Sequence, residues 1–305
     1  MKKFILIVSA LFLIFSCMAL ASDSGRKIKN IRDLKTEKLA AQRGTVGQFI
    51  AEELLGENKK KLLTTFEKYV DAIAALRQKK VRAVVMDEMP AKRFLKDVEG
   101  LMIMKEAMSE ENYAIGFKKG NKELIEQVNK ALSEMKADGT LNKIFEKYYN
   151  SDVSEISPDD IDFNLNASGG KLVVGTEAGF APYELKVGNS FIGIDVEMCA
   201  VIAKKLNKIL VIENMNFDAL PMAVSTGKVD MICAGITVTP ERLENMDFSS
   251  HTDAALKQLA DLGFVGTWVA DLSAYGDMFA GVNLSFVLHC VFNCYIKACK
   301  SALGF

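Results

Sequence analysis

An α/β fold with room for two domains is predicted by three features of this 305-residue chain. Its length suffices for two domains of ordinary size, each with its own core. Short β-prone runs such as 81–87 and 171–176 alternate with helical stretches such as 122–137, as in sheets covered by helices. The strand run at 81–87 ends in the carboxylate of Asp87, at the edge where open α/β sheets present ligand groups.

Composition narrows the function classes. Half the residues are apolar and 25% are charged, a globular balance. With 38 basic and 39 acidic residues there is no net positive field to displace counterions from phosphates, so no nucleic-acid partner is expected. The lysine runs at 59–61 and 79–80 read as solvated helix ends. Cys199, on an apolar helix face, and Cys233, in an apolar strand, read as buried core thiols. Cys290, Cys294 and Cys299 lie near His289, but their spacing fits no zinc pattern and a helical apolar stripe accounts for it; no metal and no cofactor are expected.

Residues 1–21 read as an export signal, with Lys2 and Lys3 at the positive start, an apolar segment at 4–15 and a small-x-small cleavage site at Ala19, Leu20 and Ala21. Cys17 offers a second reading, cleavage ahead of it and lipidation, although Ile14, Phe15 and Ser16 make a poor lipobox. The two cuts exclude each other. Both place the protein outside the cytoplasm, in the periplasm or cell envelope, lipid-anchored through Cys17 in the second case.

Between 171 and 249 three short runs read as one half of a ligand cleft. The strand at 171–176 leads to Phe180, Pro182 and Tyr183, and then to Gly193 and Asp195. A second buried strand leads through Gly235 and Thr237 to Thr239, placed as the N-cap of a helix with Pro240 at its first position and Arg242 one turn in. Free N–H groups at a helix start, two threonine hydroxyls and a guanidinium that can grip a carboxylate with two parallel bonds make an anion-holding corner. Arg242 alone would read as a solvated helix charge.

In this ordered company the chain resembles the extracellular solute-binding proteins of family 3, the polar amino-acid receptors of ABC importers, over most of residues 28–252. The resemblance implies a two-lobed α/β receptor of the periplasmic-binding-protein type 2 fold. Such a receptor is a monomer without catalytic residues that closes over one free amino acid and presents it to a membrane ABC permease. It further implies that Arg242 pairs the ligand α-carboxylate, helped by Thr237 and by Thr45 across the cleft, with Gly235 and Gly44 in the lining loops. Asp87 would take the α-ammonium, and Phe180, with Tyr183 beside it, would pack on the ligand side chain. Gln42, Gly44 and Thr45 match the family loop that meets the carboxylate. On residue type alone that loop is a turn needing glycine, Asp87 is a helix N-cap, and Phe180 and Tyr183 are core aromatics. Arg82 stands where the family usually has an acid, at a position expected to face solvent.

The order of the parts is unusual. Residues 22–150 resemble the second lobe followed by the family's C-terminal helices: strand 38–42, helices 48–55 and 66–77, strands 81–87 and 112–117, helix 122–137 stopped by Gly139, and an amphipathic piece at 141–149 expected to pack back on the first lobe. A polar linker at 151–170 follows, then a first lobe at 171–252 with helix 195–207, strand 209–213 and helix 217–226. The halves are swapped. A circular permutation, a fragment cut across tandem binding domains, or a rearranged gene would each produce this, and a linker of about 20 residues can span tens of ångströms. The pattern breaks after Ser249, where the family sends a strand across into the second lobe. That crossing strand must come from elsewhere, and 262–269 is apolar and β-prone enough to supply it. The tail at 253–305 resembles nothing. Its apolar run at 278–296 is interrupted by Asn283, His289 and Asn293, leaving an amphipathic helix, an out-of-frame tail or a membrane span.

An exported amino-acid receptor is the leading reading. The alternatives are a non-binding rearranged fragment and a cyclohexadienyl-type dehydratase on the same fold, for which Glu177 and Glu184 would be the candidate acids.

Overall fold

A computed structural model describes residues 17–22, 28, 30–98, 100–104, 106–109, 111–250 and 252. These all fall in one compact unit, Met1–Ala255; a second unit, Leu256–Phe305, lies outside them, as do the strand expected at 262–269, the apolar run at 278–296 and the cysteines beside His289.

The second lobe is built on five strands: β1 (Cys17–Ser22), β2 (Leu39–Gln42), β3 (Leu63–Phe66), β4 (Ala83–Asp87) and β5 (Leu101–Ile103), in the order β3-β2-β4-β1-β5. Its helices are α1 (Val46–Leu55), the single turn α2 (Lys59–Leu62), α3 (Tyr69–Arg77) and α4 (Glu88–Asp97). Strand β4 is buried along its whole length, as its run of small and apolar side chains requires of a strand covered on both faces. Leu34, Leu39, Ala51, Leu55, Ala83, Val85 and Met104 form one buried core under α1.

The first lobe draws on both parts of the chain. It contains β6 (Gly116–Lys118), α5 (Lys122–Ala137), α6 (Thr140–Asn150), β7 (Lys171–Thr176), β8 (Gly179–Phe180), β9 (Glu184–Val187), β10 (Ser190–Ile192), α7 (Ile194–Lys205), β11 (Ile209–Asn214), α8 (Leu220–Ser225), β12 (Met231–Ile232), α9 (Pro240–Asn245) and β13 (Met246–Phe248). The sheet order is β11-β7-β12-β6-β13, with β8, β9 and β10 in a separate three-stranded sheet. Strand β6, from the earlier part of the sequence, is thus enclosed by strands of the later part. Helix α5 buries Val128, Ala131, Leu132 and Met135 on one face, and both α5 and α6 pack on α7.

The two large sheets share a plan. Each has three parallel strands followed by an antiparallel fourth, β1 against β4 in one lobe and β6 against β12 in the other. The antiparallel fourth place in the second-lobe sheet is held by β1, at the end of the stretch that reads as a leader.

Three local expectations need correction. The helix expected at 66–77 starts only at Tyr69, because Leu63–Phe66 pairs in parallel with β2 as an edge strand, a state that suits its two β-branched threonines. The strand expected at 112–117 is an isolated bridge from Tyr113 to Thr237 followed by β6, since Asn112 and Ala114 pair only with the loop at Ile236 and Val238. The helix expected at 217–226 begins as a 3-10 turn, Phe217–Ala219, and turns α-helical at Leu220. Among the described residues no helix is long and apolar enough to cross a membrane.

Candidate functional site

A narrow cleft, with a free volume of about 20 Å³, lies where the carboxyl ends of β2 and β4 face those of β7 and β12. Its wall includes Gln42, Thr45, Tyr69, Asp87 and Glu111 on one side and Glu177, Phe180, Glu184, Gly235, Thr237 and Arg242 on the other. In this closed arrangement the free space is that of about one water molecule, so a ligand the size of an amino acid enters only when the walls part.

Arg242 is held by the start of α9. Thr239 caps that helix, its side chain accepting from the Arg242 N–H at 3.3 Å, with Pro240 next in line, as the sequence predicts. The guanidinium then reaches back into the cleft, donating to the Thr237 carbonyl at 2.6 Å and across it to the Gly44 carbonyl at 2.9 Å. It also sits 5.5 Å from the centre of the Phe217 ring, a cation–π distance. Burial lowers its pKa, while Glu111 and Asp87 oppose that shift.

Asp87 ends β4 and occupies the N-cap position of α4, but its side chain caps nothing there. It shares its neighbourhood with Glu111. Burial, and then the Glu111 charge, push the Asp87 carboxyl well up, against the Tyr113 hydroxyl and Arg242. Burial also raises Glu111, opposed by the hydroxyls of Thr237 and Ser109, both of which donate to it, and by Arg242.

The remaining sequence-predicted residues divide. Thr45 lines the cleft, but its hydroxyl is committed to the start of α1, accepting from the Gln48 N–H at 3.3 Å and donating to the Gln42 carbonyl at 2.8 Å. Gly44 is not part of the wall; its N–H donates to Gln48 Oε1 at 2.8 Å, so in this closed arrangement it offers the cleft no donor. Gly235 lines the cleft with φ +52, and its N–H donates to Asp195 Oδ2 at 2.8 Å. Phe180 lines the cleft, stacked on Tyr69 from the opposite lobe and on Tyr183 behind it, each at 5.7 Å between ring centres. Tyr183 lies behind this wall, edge-on to Tyr113, and fills the core.

Residue-by-residue reading missed Glu111 and Tyr69, and gave Glu177 and Glu184 only an enzymatic role. Tyr69 was hidden because the helix was read as beginning three residues early; an aromatic just after an edge strand was the available signal. Glu177 accepts from Gln42 Nε2 at 3.3 Å across the cleft, and burial raises its pKa against Gln42 and Lys68. Glu184 is fully buried, and the one polar group among the described residues that its carboxyl can meet is the Asp195 carboxyl, a hydrogen bond that needs a proton on one of the two. Burial raises its pKa well above the carboxylate range, and Asp195 and Glu177 add to that. Asp195 itself is pushed up to about 6 by burial, despite the Gly235 N–H it accepts.

The site is therefore bipolar. One end holds Arg242 with Asp87 and Glu111; the other holds Glu177 and Glu184 around an aromatic wall. It can pair a carboxylate and one or two cationic groups on a single small molecule.

The sequence model of the bacterial extracellular solute-binding proteins, family 3, matches residues 19–151 and 172–260. The arginine-binding extracellular protein ArtP of Bacillus subtilis is 35% identical over 103 residues, 30% of this chain and 40% of that protein. The L-cystine-binding protein TcyJ of Escherichia coli is 30% identical over 130 residues, 42% of this chain and 47% of that protein. The alignments thus span less than half the length of either relative. Among solved structures, an ancestral arginine-binding protein bound to glutamine aligns with a TM-score of 0.41 at 32% identity, over 46% of this chain and 62% of that one.

Proposed function

Because the chain belongs to the bacterial extracellular solute-binding proteins, family 3, we propose that it is an exported receptor that closes over one free amino acid and presents it to a membrane ABC permease. Arg242 pairs the α-carboxylate in place of the Thr237 and Gly44 carbonyls, and Asp87 takes the α-ammonium, with Glu111 holding Thr237 and the guanidinium in position. Burying both charges of a zwitterion is costly unless each is paired, and here the partners come from opposite lobes, so binding and closure are coupled.

We further propose that the ligand side chain is cationic. The observation that carries this is the pair of buried carboxyls at the other end of the cleft, Glu177 and Glu184, with Asp195 beside Glu184 and no ion pair to either among the described residues. A ligand guanidinium or ammonium would supply the counter-charge; the arginine-binding names of some relatives favour it, and the cystine- and glutamine-binding names of others do not. We read the two matched segments as the family's lobes in swapped order; the enclosure of β6 by β12 and β13 supports a joined and working first lobe.

A thermal-shift screen of the standard amino acids tests this. L-Arginine or L-lysine at 100 times its dissociation constant should stabilise by about 2.7 kcal/mol. A folded sample that responds to no amino acid would favour the non-binding fragment. The dehydratase reading gains from a protonated Glu184, a candidate general acid. Its substrate is a dicarboxylate, however, which would meet four acidic side chains and one guanidinium in this cleft. Release of phenylpyruvate from prephenate would establish it.

A further inference from the structure

The stretch that reads as the end of an export signal is also a strand of the folded protein. Strand β1 lies fourth in its sheet, between β4 and β5. Cys17, Met18, Ala19, Leu20 and Ala21 pair in turn with Asp87, Met86, Val85, Val84 and Ala83, and Leu20, Ala21 and Ser22 pair on the other side with Ile103, Met102 and Leu101. The family match, a separate observation from sequence alone, starts at residue 19, inside the same stretch.

A cut behind Ala21 would remove every residue that pairs with β4 and two of the three that pair with β5. In the sheet order β5 is joined only to β1, so it would be detached altogether. Strand β4, whose residues are all buried, would lose its ladder on one side. Unpaired N–H and C=O groups in such a place are strongly destabilising. The carboxyl end of β4 is where Asp87 enters the cleft, so the damage would reach the candidate site.

We infer that the folded protein keeps Cys17–Ser22, and that any cut releasing the leader falls ahead of Cys17 and not behind Ala21. The Ala19-Leu20-Ala21 signature is then a strand sequence of small and apolar residues that happens to satisfy a signal peptidase pattern. This inference concerns processing and stands whatever the ligand is.

The test is the N-terminus of the full-length chain after export from a bacterial host, read by N-terminal sequencing and intact mass. The expected first residue is Cys17 or one upstream of it, with or without a diacylglyceryl mass on Cys17. A first residue of Ser22 in soluble, cooperatively melting protein would overturn the inference. A second measurement is independent of the export machinery: chains 17–305 and 22–305, each behind an initiator Met, are compared by thermal melting and by amide exchange at 83–87. The longer chain should protect these amides, and the shorter should lose that protection. Equal protection in both chains would also overturn it.

Discussion

Glu184 concentrates the electrostatic tension of the cleft. Burial, and then the charges of Asp195 and Glu177, push its carboxyl well up, because ionising it there would cost several kcal/mol. Folded-state pKa values raised above the ordinary ones give stability that is complete at low pH and is lost as pH rises through the folded value. For Asp195 that window runs from the ordinary 3.8 to about 6, and Glu184 extends the loss upward. The ligand-free protein should therefore melt at a higher temperature at pH 5 than at pH 8, and Glu184→Gln should flatten the difference. A cationic ligand that draws Glu184 into its charged form should release protons on binding, seen as calorimetric heats that change with buffer ionisation enthalpy; that dependence should weaken in Glu184→Gln, with the part from Asp87 remaining. Gly235 is constrained in another way: a Cβ there would stand 2.8 Å from Phe180 Cε1 at a positive φ. Gly235→Ala should cost about 1–3 kcal/mol in denaturant melts and weaken ligand response by displacing Phe180. The Arg242 corner was legible because cap, proline and arginine are adjacent in sequence. Glu111 was not, because its partners Thr237 and Arg242 lie more than a hundred positions away and only the fold brings them together.

At the scale of elements, α9 is the short helix that aims Arg242. Its cap contact is the Thr239 side chain, and Thr239→Ala should cost about 0.5–2 kcal/mol. The loss should also appear as weaker affinity, since the guanidinium is placed by the same turn; unchanged affinity would show that the Thr237 and Gly44 carbonyls suffice to hold it. Strongly periodic elements such as α5 were readable from sequence, with Leu132 and Met135 on the face that the structure buries. The edge strand β3 was not, since Leu-Thr-Thr-Phe has no period long enough to separate it from the helix that follows. The stretch of β1 carries two readings for a different reason. Small apolar residues satisfy both a leader pattern and a strand in the middle of a sheet, and only the pairing partners distinguish the two.

At the scale of the whole molecule, the two parts of the sequence are interlocked. β6 lies between β12 and β13, and α5 and α6 rest on α7 with ion pairs from Lys205 to Glu134 and from Lys147 to Glu197, both pairs under 3 Å. Across the cleft the lobes touch through Arg242 and Gly44, Asn216 and Glu67, and Tyr69 and Phe180. A protease nick in the linker near Leu165, which is 73% exposed, should therefore leave the two pieces bound to each other. They should co-elute in gel filtration until denaturant is added; separation without denaturant would show that the first lobe does not depend on β6. The two-lobed α/β plan was legible in the order of strands and helices, whereas the antiparallel strand between β4 and β5 was not, because the residues that form it lie more than sixty positions ahead of their partners.

Titration calorimetry with L-arginine, agmatine, which lacks the carboxylate, and L-citrulline, which lacks the cationic side chain, tests the proposed cleft most directly. L-Arginine should bind, agmatine should lose affinity through Arg242, and L-citrulline should lose it through Glu184 and Glu177. Equal binding of all three, or binding of L-arginine that survives Arg242→Ala unchanged, would contradict the clamp.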